Sequence, residues 1–406
     1  MGRVSLVATN IERGLMMATS DTPMALDGVV VLDLTRILAG PYATQLLGDL
    51  GATILKIENP DGGDDTRTWG PPYAPGAEGD LSAYFMAANR NKQSIAVDLA
   101  SLDGQATLRK LAARADIVVE NFKPGGLAKY GLDHATLCAA HPGLVYCSIS
   151  GYGQTGPNRE KPGYDLMAQG FGGIMSLTGE AQGVPSKVGV GIADVMCGMY
   201  ATVGILAALR HRERTGIGQH IDISLVDSQL AWLINEGTNY LASGRDPIRR
   251  GNGHPNIVPY DVVEVSDGHV ILAVGNDAQF ARFCDVLGLA ALSSDPDYAT
   301  NPARLQNRAA LYVHLIPALA RHTVAGLVAA LETVKVPVGP IQTVGQALNS
   351  TQARARGAVI EMPAEGVTGG SVQLLGNPLK LSRTPVQYRL APPRLGADTA
   401  RLLKDL

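Results

Sequence analysis

The stretch "VGVGIADVMCGMY" (188–200) sets one carboxylate, Asp194, among small and apolar residues at the start of a helical pattern. A carboxylate in that place has two readings. As an N-cap it accepts the amide N–H groups that a first helical turn leaves unpaired. As a nucleophile it gains from the positive end of the helix, and from Gly189 and Gly191, which let a ligand approach the backbone. The readings do not exclude each other. "KPGYDLMAQG" (161–170) puts Tyr164 and Asp165 in the same ambiguous position.

Other chemistries find less support. A dinucleotide fingerprint would follow the first strand, but "TRILAGPYATQ" (35–45) has one glycine and then Pro41, and Gly189 and Gly191 lack a correctly placed third glycine. No G-x-S-x-G hydrolase elbow occurs. The eight histidines show no ligand spacing, and Cys138, Cys147, Cys197 and Cys284 are scattered without C-x-x-C pairs, so no metal site and no disulfide framework is expected. Asp64-Asp65 in "GGDDTR" suits either a cation or a turn cap.

Composition bounds the partners. The chain has 406 residues, 46% hydrophobic and 17% charged, with a net charge of −3. That balance offers no broad basic surface for nucleic acid or membrane, though local anion binding stays open. The cysteine usage suggests a reducing, cytoplasmic setting. No apolar run is expected to reach the roughly 20 residues of a membrane span, and the first residues lack the apolar core of a secretory signal.

The elements that must position these groups alternate. "VVVLDL" (29–34), "TILKIE" (53–58), "SIAVDL" (94–99), "DIVVENF" (116–122) and "LVYCSIS" (144–150) are short β-branched runs separated by helical patterns. This predicts a parallel sheet covered on both faces, a Rossmann-like, doubly wound α/β domain. Helices are expected at 165–177, 194–214 and 228–243, with a strand at 219–225. "GRDPIRRGNGHPNIVP" (244–259) is rich in Gly, Pro and Asn and reads as a loop. "YDVVEVSDGHVILAV" (260–274) then reads as a hairpin turning at Asp267-Gly268, followed by helices at 276–288, 304–322 and 324–334 in a smaller α+β domain. "AVIEMPA" and "SVQLLG" are strand candidates in the tail, and a last helix is expected at 397–405. The resulting plan is an N-terminal extension (1–27), a large domain begun by 28–213, a linking strand and helix (214–243), a small domain (244–344) and a return segment (345–406). From the residues alone this is an α/β enzyme of two domains whose chemistry could rest on a carboxylate.

Several ordered blocks carry a resemblance. "VLDLTRILAGPYATQLLGDLGATILKIENPDGGDDTR" (31–67), "NRNKQSIAVDL" (89–99), "ADIVVENFKPG" (115–125), "SISGYGQTGP" (148–157), "GYDLMAQ" (163–169), "GVGIADVMCGMYA" (189–201), "RTGIGQHIDISL" (214–225) and "PPRLGADT" (392–399) together resemble the class III CoA-transferases. That family includes formyl-CoA and carnitine CoA-transferases and α-methylacyl-CoA racemase. "DDTRTWGPP", "GYGQTGP" and "IVPYDVV" look most like its branch that moves CoA from succinyl-CoA to a dicarboxylic acid such as malate, citramalate, itaconate or hydroxymethylglutarate.

The resemblance implies that Asp194 is the nucleophile, carrying CoA as an aspartyl thioester, with no permanently bound cofactor. It implies CoA contacts at Arg36, Ala39, Val97, Asn121, Phe122 and Lys129, with Lys161 near a basic position of the family. Arg36, Arg67 or Arg90 would take the acceptor's second carboxylate, since Arg binds carboxylates bidentately. Gly251, Gly253 and His254 lie where the oxalate enzyme has a glycine loop that supplies oxyanion donors, each typically worth about 3–4 kcal/mol. Leu38 replaces that enzyme's glutamine and argues against oxalate. The racemases pair the aspartate with a histidine where this chain has Tyr164, a poor base at its usual pKa of about 10. Racemization is therefore the alternative, and a non-catalytic partner subunit the third reading. The family further implies a ring-shaped chain in an interlocked homodimer, with a paralogous second subunit as a variant of that assembly.

Overall fold

The computed structural model describes residues 23–404 and 406. Of the extension expected at 1–27, residues 1–22 lie outside the described residues. The chain divides into two compact units, one made of the chain up to Ile149 with Gly198–Asp222 and Ile360–Leu406, the other of Ser150–Cys197 and Ile223–Val359.

The first unit is built on β1 (Val30–Asp33), β2 (Thr53–Glu58), β3 (Lys92–Ala96), β4 (Ile117–Glu120), β5 (Val145–Ser150) and β6 (His220–Ser224), in the order β3-β2-β1-β4-β5-β6. Strands β1 to β5 pair in parallel. Val31, Leu32, Ile117, Val118 and Val119 of the central strands are wholly buried, which is why these segments read as continuous apolar runs rather than alternating ones. The doubly wound α/β reading holds. Strand order reverses between β1 and β4, and the crevice beyond the carboxyl ends of those two strands is where open α/β sheets take ligands.

The same strands carry charges that the apolar pattern hides. Lys92 Nζ lies 3.0 Å from Asp33 Oδ2, and Lys56 Nζ lies 3.0 Å from Asp64 Oδ2 and 3.0 Å from the Thr35 carbonyl oxygen, all out of solvent. Burial pushes the Asp33 carboxyl up, but the Lys92 and Lys56 ammoniums outweigh it and hold it at about 2. Such pairs contribute little net stability when intact, yet breaking one strands a buried charge. Here they fix the loop that leaves β1. Asp64, open to the cation reading, instead accepts from the Thr66 N–H and caps the turn Asp65–Thr68.

The second unit holds an antiparallel sheet of β7 (Tyr260–Val265), β8 (Gly268–Ala273) and β9 (Val338–Pro340). The hairpin turns at Ser266-Asp267, one residue before the expected Asp267-Gly268; Gly268, at φ +154°, is already the first residue of β8 and pairs with Val265. Phe280, Phe283, Leu311, Leu315, Leu327 and Leu331 pack beneath it. Strands β10 (Val359–Pro363) and β11 (Ser371–Leu375) form a separate pair.

Four helices differ from expectation. The segment 304–322 belongs to two helices, Asn301–Gln306 and Arg308–Leu319, parted at Asn307. The segment 165–177 is two helices, Asp165–Phe171 and Ile174–Leu177, broken where Gly173 takes φ +87°. The segment 228–243 is likewise Leu225–Ala231 and Ile234–Ser243, with Ile234 at φ 42° in the break. The helix Ile192–Thr215 has 24 residues and, against the expectation of no such run, is long and apolar enough by length and composition to cross a membrane. Half of its apolar window is buried in the protein. Ala193, Met196, Cys197, Ala201, Ile205, Ala208 and Leu209 are its buried apolar side chains, at the spacing of one helical face.

Candidate active site

Asp194 sits in the first turn of the helix Ile192–Thr215, which begins two residues earlier than the pattern suggested. It is therefore not the cap. The cap is supplied by Asp165, whose Oδ1 accepts from the Ala193 N–H at 2.8 Å and the Asp194 N–H at 3.4 Å. Asp165 lies at the start of the helix Asp165–Phe171 and is held in turn by Gln169, whose Nε2 donates to its other oxygen at 2.7 Å. Gln169 Oε1 accepts from the Val188 N–H at 2.8 Å, tying the segment that leads into the helix to the same point. The duty assigned to one carboxylate in the sequence is thus split. Asp165 satisfies the helix end, and Asp194 is left with a carboxylate that no donor among the described residues engages.

That freedom has an electrostatic consequence. Asp194 is 9% exposed. Burial, reinforced by the neighbouring Asp165 charge, pushes its carboxyl up from 3.8 to about 7. A carboxylate stripped of water and of hydrogen-bond donors keeps its lone pairs for an electrophile, the condition a covalent acyl carrier needs. Cys197, one turn along, is no competitor. Burial pushes its thiol up to about 12, and the Ser228 hydroxyl bonds it. Nothing lies within 4 Å of a Cβ built on Gly189, so the backbone before the helix is open to approach. Tyr164 is 64% exposed and its side chain makes no cap bond.

In the loop 249–256, Gly251 takes φ +62° with open space around its Cα. Gly253 lies under Arg308, where a Cβ would meet Nη1 at 2.9 Å. The His254 N–H donates to the Tyr260 carbonyl, its own carbonyl accepts from Arg308, and its Nδ1 accepts from the Asn256 N–H at 3.1 Å. Its ring nitrogen facing the backbone is therefore occupied. Arg249 binds the carbonyls of Glu180 and Gly183, at 3.3 and 2.7 Å, joining this loop to the turn that leads toward Asp194. Arg249 and Arg308 were not singled out in the sequence, where two more arginines beside a loop carry no distinguishing signal.

The crevice at the β1/β4 switch gathers Arg36, Asn121 and Phe122. The Arg36 N–H donates to Asn121 Oδ1 at 3.0 Å, and Asn121 Nδ2 donates back to the Arg36 carbonyl at 2.8 Å, closing one loop on the other. Ile37 next to it is at φ 72°, a rare conformation for a β-branched residue and one that typically stores about 1–3 kcal/mol. Its N–H points at the Asp64 carboxylate, at 3.2 Å from Oδ1. The Arg36 guanidinium is exposed and paired with Asp65 at 2.9 Å. Ala39 is buried and opens the helix Ala39–Asp49; a Cβ on Gly198 would lie 2.5 Å from its carbonyl oxygen. Val97 is a core residue whose N–H pairs with the Glu58 carbonyl. Lys129 is exposed, its Nζ 4.6 Å from the Tyr130 ring, and Lys161 is exposed in a loop of the other unit.

Two of the arginines expected to take a distal carboxylate are already committed. Arg67 is bidentate to Glu58 (2.8 and 2.6 Å) and bridges to Asp80. Arg90 is bidentate to Asp49 (2.9 and 2.5 Å) and donates to the Leu375 carbonyl. Both are buried, and their forks hold chain segments together. Only Arg36 of the three keeps an exposed guanidinium.

Comparisons with known proteins give the family. The sequence profile of CoA-transferase family III matches residues 26–399. The chain is 47% identical to the succinate–glutarate CoA-transferase of Agrobacterium fabrum, over 94% of this chain and 95% of the relative. It is 39% identical to the mouse succinyl-CoA:glutarate CoA-transferase, over 97% and 89%, and 33% identical to the succinyl-CoA–D-citramalate CoA-transferase of Chloroflexus aurantiacus, over 96% of each. Among solved structures, a CaiB/BaiF family protein from Brucella suis superposes with a TM-score of 0.84 at 46% identity, covering 95% of this chain and all of that one. With a doubly wound sheet, a buried and unengaged aspartate, and a profile match across nearly the whole chain, the protein belongs to CoA-transferase family III and is an enzyme of that family.

Proposed function

We propose that this enzyme moves CoA from succinyl-CoA to a dicarboxylic acid, with glutarate the first acceptor to try, through a covalent thioester on Asp194. The observation that carries the reading is the buried Asp194 carboxylate, raised to about 7 and relieved of capping by Asp165. The named relatives at 47% and 39% identity support succinyl-CoA as donor and glutarate as acceptor. Citramalate, suggested by the sequence blocks, has support from a more distant relative; malate, itaconate and hydroxymethylglutarate remain further members of the panel.

The steps balance as paired acyl exchanges. The Asp194 carboxylate attacks the succinyl thioester carbon, forming a mixed anhydride and expelling CoA thiolate. The thiolate attacks the aspartyl carbonyl, releasing succinate and leaving aspartyl-CoA. The acceptor carboxylate attacks that thioester, giving a second anhydride and thiolate. The thiolate then takes the acceptor's acyl carbon, and Asp194 is regenerated. Each barrier falls because a covalent carrier holds the reacting groups together, and water must be kept out meanwhile. Burial of Asp194 serves the second need.

We place the nucleotide end of CoA at the β1/β4 crevice, on Arg36, Asn121 and Phe122, where general α/β geometry also favours a ligand. CoA is then a substrate rather than a resident cofactor. A cytoplasmic homodimer completes the proposal; the helix Ile234–Ser243 has no buried residue and exposes Ile234, Tyr240 and Leu241, which supports a covering second copy. Incubating the purified chain with succinyl-CoA and an acceptor panel, scored by the mass of each new thioester, tests the reading. Transfer to a dicarboxylate supports it. No new thioester with any acid, or α-deuterium exchange from solvent without an acceptor, contradicts it.

A further inference from the structure

Glu120 ends β4 immediately before Asn121 and Phe122, and it is buried without a cationic partner among the described residues. Its Oε2 accepts from the Phe122 N–H at 2.7 Å, and the Ser148 side chain, its direct partner across β4 and β5, bonds it as well. Ser148 Oγ lies 3.0 Å from His220 Nε2. The His220 ring stacks on His134 with centroids 3.8 Å apart and planes nearly parallel, at 2°. Tyr146 meets both rings edge-on, with its hydroxyl committed to the Leu132 carbonyl at 2.8 Å. A continuous polar line thus runs from the Asn121–Phe122 corner to a histidine stack that the transfer chemistry does not use.

We propose that Glu120 is a positioning residue for the nucleotide end of CoA, its carboxylate fixing the Asn121–Phe122 corner while the Ser148–His220–His134 line can either donate to it or accept from it. This rests on the reading that the corner binds CoA. Ionised, Glu120 accepts from the Phe122 amide and from Ser148, which in turn accepts from His220. Protonated, it must donate instead. The line then reverses through Ser148, and the Phe122 bond drops from charge-assisted to neutral, roughly half as strong. Burial pushes the Glu120 carboxyl up to about 7, against the pull of Ser148 and the Phe122 amide, so the change falls near neutral pH. The groups that face this line are few. Asp133 and Cys138 come from the segment that carries His134, Tyr146 and Cys147 from β5, and Asp222 from β6 beside His220. None is a lysine or arginine. Burial and the neighbouring His134 keep His220 below its ordinary value, so the stack does not supply a cation that would hold Glu120 ionised.

The test compares wild type with Glu120→Gln, which keeps an acceptor oxygen for Phe122 but cannot ionise. Calorimetric affinity for CoA is measured between about pH 6 and about pH 8.5, spanning the titration. The affinity of wild type relative to the variant should rise with pH, the variant being roughly fivefold weaker at the alkaline end. The ligand's own titration is common to both proteins and cancels. With saturating succinyl-CoA the variant's kcat should hold, while the KM for a succinyl-pantetheine thioester, which lacks the nucleotide, should be unchanged. Equal affinity in the two proteins at every pH overturns the proposal. So does an equal loss with the truncated thioester, which would mark a merely structural role. Matching far-ultraviolet circular dichroism checks that the variant is folded; if it is not, Glu120→Asp, which still ionises but is one methylene too short to hold the Phe122 amide, should bind CoA more weakly than wild type at the alkaline end, and equal affinity there overturns the proposal. If wild type neither binds CoA nor forms a new thioester, the transferase reading fails and takes this proposal with it. If wild type does both and the variants are silent, only the role of Glu120 falls.

Discussion

Replacing Asp194 by asparagine should make the protein more stable as the pH rises, relative to wild type. The Asp194 carboxyl ordinarily ionises at 3.8 and in the fold at about 7. A raised carboxyl means that the unfolded chain releases its proton before the folded one does. The penalty is therefore absent below the unfolded value, grows between the two values, and is complete above the folded one. Three units at about 1.36 kcal/mol each set an upper bound of about 4 kcal/mol. The asparagine amide must itself be buried without partners, a cost of about 1–3 kcal/mol that does not vary with pH. The pH dependence is therefore the clean readout. Between about pH 5 and about pH 8 the stability gap, variant minus wild type, should widen by about 2.5 kcal/mol. Urea denaturation of both proteins at the two pH values measures it, with m-values compared to check that the same surface unfolds. A gap that does not widen would refute the raised carboxyl, and one that narrows would reverse the sign of the argument.

Other outcomes follow from the same geometry. The pH profile of kcat/KM should rise with a midpoint at about 7, as Asp194 ionises, and Asp165→Asn, which removes the neighbouring charge while keeping an acceptor for the Ala193 N–H, should move that limb to lower pH. Arg67→Ala should lower stability by about 3–5 kcal/mol in urea, because it leaves Glu58 buried and unpaired. Gly198→Ala should cost about 1–3 kcal/mol by the same measurement, since its Cβ would be driven onto the Ala39 carbonyl.

Much of the scaffold is legible in the sequence because buried parallel strands and antiparallel hairpins leave different marks. "TILKIE" coincides with β2, Thr53–Glu58, and the hairpin turns at Ser266-Asp267, within one residue of the Asp267-Gly268 signal. Helix breaks were less readable. Trp232 and Leu233 continue an apolar pattern, and nothing in their type announces the positive φ of Ile234. The strand β9 spans three residues and has no period to detect. At the site, the residue type of Asp194 and the glycines around it were enough to single it out, but not to divide its duties. Capping by Asp165 is a contact across 28 residues, invisible to local pattern. Arg67 and Arg90 were misjudged for the opposite reason. An arginine beside a recognisable motif looks available until Glu58 and Asp49, placed within strand and helix patterns, are seen to claim it. The family resemblance supplied the nucleophile's chemistry and the class of acceptor, while glutarate, in the names of the more similar relatives, was not among the acids the sequence blocks suggested.

The central claim is that Asp194 itself carries the acyl group and then CoA. Incubation with succinyl-CoA alone, followed by an acidic quench that preserves thioesters and mass analysis of the peptide spanning Asp194, addresses it without an acceptor. The account predicts a peptide heavier by CoA less one water, absent from Asp194→Asn. An unmodified Asp194 peptide under conditions where transfer proceeds would contradict it.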